Sequence, residues 1–145
     1  YDLRDWIRTR EILIDQDELP HSHPILTLHT RHRDDEPHLL STFLHEQFHW
    51  WVLERTDALD AARDDFREIF PEVPAREDGG ARNAESTYLH LVVCHLEYQA
   101  AALLFGEVRA REIVQWYNHY TWIYDRVTDD PRVAEVMERH GLLLR

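Results

Sequence analysis

Apolar and polar positions change period once along this chain, near residue 37. Before that point the pattern alternates. Leu3–Asp15 mixes alternation with β-branched residues and predicts a strand over at least Glu11–Ile14, with a short opening helix over Leu3–Arg10 as the other possibility. Asp17–Pro24 reads as a turn, Ile25–Arg31 as a second strand and Asp34–Pro37 as a charged loop. After it the spacing is helical. Pro37 suits a first turn, and Leu39–Arg55 and Asp57–Phe70 are predicted helices. Pro71–Gly80 is a loop, Asn83–Phe105 a long helix stopped by Gly106, Glu107–Val127 a further helix, and Pro131 opens a last short one ending near Gly141. The expectation is an α+β fold, a short N-terminal β-sheet followed by four to five helices.

Composition narrows the class. With 145 residues there is enough chain for one domain with a real core, so residues 1–145 are read as a single unit. The net charge of -12 argues against a nucleic-acid backbone or an anionic membrane surface as partner. Leu89–Val93 and Ala100–Phe105 are apolar but broken by polar groups, so no membrane span is expected. Tyr1–Arg10 is too dense in charge for a secretory signal, and the single cysteine, Cys94, rules out an internal disulfide. Together these point to the cytoplasm.

Eleven histidines are the unusual feature. Two of them lie in F-L-H-E-Q-F-H-W-W, Phe43–Trp51, inside the first long helix. His45 and His49 are four apart, so they point the same way about 6 Å from each other along the axis. Such a pair can take adjacent positions around one zinc ion. Glu46 lies roughly 100° around the helix, within reach of a metal-bound water as a general base. Leu44, Phe48, Trp50 and Trp51 make the surroundings apolar, where unpaired imidazoles and a carboxylate are costly and a metal removes the cost.

This H-E-x-x-H helix resembles that of the zincin metallopeptidases. The extended form with a third histidine six residues on does not fit, because Arg55 and Val52 stand where its histidine and glycine would be. The remaining resemblance is to gluzincins, in the compact mini-gluzincin type, and it implies a zinc-dependent peptidase whose third ligand is a glutamate on a later helix. Glu97 is the only acid in the apolar run from Tyr88 to Phe105 and is the implied ligand beside His45 and His49. The match there is of residue type and helix context only, since Leu96 precedes Glu97 and Ala101 follows a turn later. On the helical wheel His90 and Cys94 share a face with Glu97, and His95 falls opposite. His90 and Glu97 are about 10.5 Å apart along the axis, so His90 as ligand with Glu97 behind it is the alternative. The resemblance also implies a peptide or small amide substrate, with Ile25–Arg31 as an edge strand for it.

Other candidates surround this core. Tyr117, Tyr120, Tyr124, His119 or His90 could steady a developing oxyanion, although the tyrosines also form a core stripe. His29 and His38 read as rim or surface residues, and His21 and His23 as a surface turn. Two rival functions share the motif. Two histidines and a carboxylate also build the non-haem iron site of oxidoreductases. A non-catalytic, metal-stabilised interaction domain is the third reading.

Overall fold

The helix α3 (Ala84–Phe105) is the axis on which the other α-helices pack, while the sheet rests on α1 (Glu36–Leu53). Asn83 caps its start by accepting from the Ser86 N–H at 2.9 Å, and Gly106 ends it at φ 84°, a left-handed conformation that glycine adopts without strain. Between them Leu91, Val92, Val93, Cys94 and Leu96 are fully buried. A computed structural model describes residues 1–144. In it α3 is long and apolar enough to cross a membrane by length and composition alone, yet 61% of that stretch is buried against the other helices.

α1 (Glu36–Leu53) crosses α3 and carries the H-E-x-x-H segment. Asp35 caps it and Pro37 occupies its first turn, as the sequence suggests. α2 (Thr56–Ile69), α4 (Glu107–Trp116), α5 (Thr121–Asp129) and α6 (Pro131–Arg139) complete the shell around α3. Ahead of them, β1 (Ile12–Ile14) and β2 (Leu26–Leu28) form a two-stranded parallel sheet in the register Ile12↔Leu26, Leu13↔Thr27, Ile14↔Leu28. The class is therefore α+β, with six α-helices among the described residues rather than four to five.

The extra helix arises from one break. The segment expected as a single helix over Glu107–Val127 splits at Tyr117–Tyr120, where Tyr120 takes φ 55°. No glycine or proline marks the break, and a bulky residue in that backbone region is strained by roughly 1–3 kcal/mol. Packing holds it there. Tyr117 and Tyr124 are buried on the two sides of the break, with their rings stacked 5.8 Å apart.

The strands are shorter than their patterns. β2 is wholly buried while β1 is exposed along its length. Thr27 exchanges backbone hydrogen bonds with His21 (3.2 and 2.8 Å) on the edge opposite β1. At that residue β2 is an inner strand, not an open edge. The N-terminal segment is fastened by Gln47, a variable position of the motif. Its fully buried amide accepts from the N–H groups of Arg8 and Thr9 and donates to the Thr9 carbonyl, at 2.7, 3.1 and 2.8 Å.

Candidate metal centre

α1 and α3 present their polar residues to each other. His45, His49 and His90 come together with ligand nitrogens all within 4.8 Å of one another, and their ring centroids stand 5.1–5.7 Å apart. A second group, His45, Cys94 and Glu97, meets the same separation. These buried His, Cys and Glu side chains could hold a metal ion.

The hydrogen bonds distinguish the two groups. His45 donates from Nδ1 to Glu97 Oε2 at 2.8 Å, and His90 donates from Nδ1 to the Ser86 carbonyl at 2.6 Å. Each ring then has Nε2 left over. Fixing one imidazole nitrogen on an oxygen acceptor is how metal-binding histidines are usually oriented. Glu97 has its own oxygens engaged: Ser41 donates to Oε1 at 2.5 Å, and Tyr124 joins His45 on Oε2 at 2.8 Å. Cys94 is fully buried, and burial raises its thiol pKa, which works against the thiolate a metal requires. The donor chemistry therefore fits a borderline cation on three imidazoles better than one on His45, Cys94 and Glu97.

Electrostatics follow from this arrangement. Burial is the largest single influence on His45 and opposes its charged form, but the charge and hydrogen bond of Glu97, together with Cys94, outweigh it and raise the His45 pKa well above the ordinary value. Burial would likewise raise Glu97, yet His45, Ser41 and Tyr124 hold it below the ordinary carboxylate range. Desolvation lowers His49 to about 2 and His90 to about 4, with His45 adding to both shifts, so these two imidazoles are neutral and ready to ligate near pH 7. Burial raises the pKa of Glu46, the His45 charge opposes it, and Glu97 adds a smaller push upward. Glu46 makes no side-chain hydrogen bond among the described residues and lines a cavity of ≈ 890 Å³.

That cavity runs between α1, the Arg76–Asp78 turn and the α4–α5 break. The break brings Tyr120 over His90, with centroids 4.4 Å apart, and places His119 at its mouth. The Tyr124 hydroxyl is used by Glu97, and the Tyr117 hydroxyl lies 3.3 Å from Thr42 Oγ1. Burial raises Tyr117 to about 12.

The remaining histidines stand apart from the centre. His38 is held by Asp35 at 2.9 Å, His29 caps a turn by accepting from the Arg31 N–H at 2.7 Å, and His23 stacks on Trp50 at 4.0 Å. His21 Nδ1 meets the Leu19 carbonyl at 2.9 Å. Sequence reasoning did not find Ser41, although it lies four residues before His45 on the same helix face, nor the Ser86 carbonyl that orients His90.

No protein-family model, no curated protein and no solved structure matches this chain.

Proposed function

We propose that the protein is a small zinc-dependent hydrolase of zincin type, in which His45, His49 and His90 hold zinc and Glu46 is the acid–base residue. The observation that carries this reading is the convergence of three imidazoles beside a buried carboxylate that opens into a cavity and has no partner of its own. Glu97, expected from the resemblance as the third ligand, is read instead as the carboxylate that orients His45, because its oxygens already accept three hydrogen bonds.

Zinc bound there would polarise a carbonyl and acidify a water molecule. The chain's own residues supply the rest. Glu46, whose pKa burial raises, takes a proton and returns it to the leaving group. The Glu97 network fixes His45, and Tyr120 stands beside His90 as the candidate donor to a developing oxyanion. A peptide or small amide is the favoured substrate class. Because Thr27 is already paired with His21, the cavity rather than Ile25–Arg31 is the proposed substrate site. The single buried thiol, Cys94, suits the cytoplasm.

The deciding experiment is Glu46→Gln in zinc-loaded protein, with hydrolysis of a short-peptide mixture followed by mass spectrometry. Zinc content is expected to stay the same while the rate falls about 10²–10⁴-fold. Undiminished hydrolysis with zinc in place overturns the hydrolase reading. Stoichiometric iron with little zinc, in protein purified without added metal, would move it to oxidation chemistry.

A further inference from the structure

All 16 basic residues of this acidic chain are arginines, and every one except Arg145 is among the described residues. Eleven of these arginines lie within 4.0 Å of a carboxylate oxygen. The four with no such partner among the described residues are Arg10, Arg31, Arg76 and Arg82, and the last three all line the cavity beside the histidine cluster. On a protein with net charge -12, carboxylates are the commonest neighbours an arginine can find. Three guanidinium groups left without them around one cavity form a local positive rim on a negative molecule.

The three are carried on structured backbone. Arg31 sits in the turn Thr30–His32, which the His29 ring caps. Arg76 opens the turn Arg76–Asp78, which ends at Gly79 with φ 91°. A Cβ at Gly79 would come within 2.3 Å of Thr121 Oγ1 and 2.5 Å of the Trp122 N, so this turn is pressed against the start of α5. Arg82 follows the buried Ala81, whose N–H is held by Thr87 Oγ1 at 2.9 Å. The charges reach into the cavity. Desolvation of the His119 ring lowers its pKa first, then His45; Glu97 opposes them, and the Arg31 and Arg76 charges add smaller effects in the lowering direction. The acids on the cavity wall are Glu46, Glu77 and Glu97. Glu97 is satisfied by Ser41, His45 and Tyr124, Glu46 faces the candidate metal centre, and Glu77 alone opposes the rim.

We infer that this cavity selects substrates bearing an anionic group, a carboxylate or a phosphate, which Arg31, Arg76 and Arg82 receive while the scissile amide lies at the histidine cluster. Guanidinium forks match both anions in a paired geometry, and a positive rim concentrates anions before they bind. The inference rests on the hydrolase reading for the second half of that placement only.

The test uses three hydroxamates of equal length that differ at the far end, one ending in a carboxylate, one in a phosphonate and one in a neutral carboxamide. Their affinities are measured by calorimetry on zinc-loaded and on metal-free protein. At least one anionic probe is expected to bind about 10- to 100-fold tighter than the carboxamide, and the stronger of the two names the natural anion. The preference is expected to shrink with added salt and to vanish in Arg31→Gln/Arg76→Gln, with carboxamide affinity and zinc content unchanged. Equal binding of all three probes, or a double variant that weakens them equally, overturns the inference even if zinc is bound. A chain that binds no zinc but keeps the anion preference overturns the hydrolase reading and leaves this one standing.

Discussion

Two faces of α3 bury histidines under opposite conditions. On the face toward α1, His90 has its Nδ1 on the Ser86 carbonyl, and Glu97, two turns on, accepts from Ser41, His45 and Tyr124. On the far face His95 is equally buried, and its Nδ1 has no partner among the described residues. Burial by itself therefore says little about a histidine's task. A ring that is gripped on one nitrogen and stands beside two other imidazoles could hold a metal ion. A ring with nothing to hold is a packing residue carrying an unpaid polar atom. His38 lies between these cases. Asp35 holds its Nδ1, its Nε2 is buried without a partner among the described residues, and although the His32 ring stacks on it at 5.5 Å, it belongs to no group of three converging ligand atoms among those residues.

The contrast is most exposed to failure at His90. His90→Ala should weaken zinc binding by more than about 100-fold, because it removes a ligand and not a residue that supports one. Competition with a chelator of known affinity measures this. An affinity unchanged by His90→Ala and abolished by Glu97→Gln would restore Glu97 to the ligand set. Next comes the acid limb of stability. His95 has its pKa lowered by desolvation to about 4 when folded, against 6.5 for the ordinary side chain. Its contribution is fully present above 6.5 and is lost as pH falls toward about 4, since the unfolded chain takes up the proton first. About 2 kcal/mol of that loss falls between pH 7 and pH 5. In His95→Leu, the unfolding free energies from urea titration at the two pH values should draw together by that amount.

Glu97→Gln should weaken zinc by about 10- to 100-fold and leave the metal bound at saturation. The smallest effect is expected for Tyr124→Phe. It leaves Glu97 with two donors in place of three, and should lower stability by about 1–2 kcal/mol at constant zinc stoichiometry. A loss in Tyr124→Phe as large as in His90→Ala would mean that the network, not the three imidazoles, holds the site together.

The α1 segment was legible because its chemistry is periodic. His45 and His49 recur at the helical spacing that puts both on one side, and Glu46 follows from the same geometry. The α3 helix was legible for a similar reason, with the shared face of His90, Cys94 and Glu97 following from 3.6 residues per turn. Glu97's role was less so. A lone acid in an apolar run announces that it needs partners, but a cation and a set of hydroxyl and imidazole donors meet that need equally well. Only the approach of Ser41 and Tyr124 separates them. The break at Tyr117–Tyr120 had no signal, because no glycine or proline makes it and the stripe of apolar residues continues through it.

What the sequence determined alone is local: where the long helical segments lie to within a few residues at each end, and which residues share a face along α1 and α3. Those facts depend on residues a few positions apart. Which histidine completes the cluster, that Tyr120 adopts a left-handed turn over it, and that Arg31, Arg76 and Arg82 meet around one cavity depend on how helices far apart in the chain pack. Packing brings together side chains whose spacing in sequence carries no period, so only the tertiary structure could decide them.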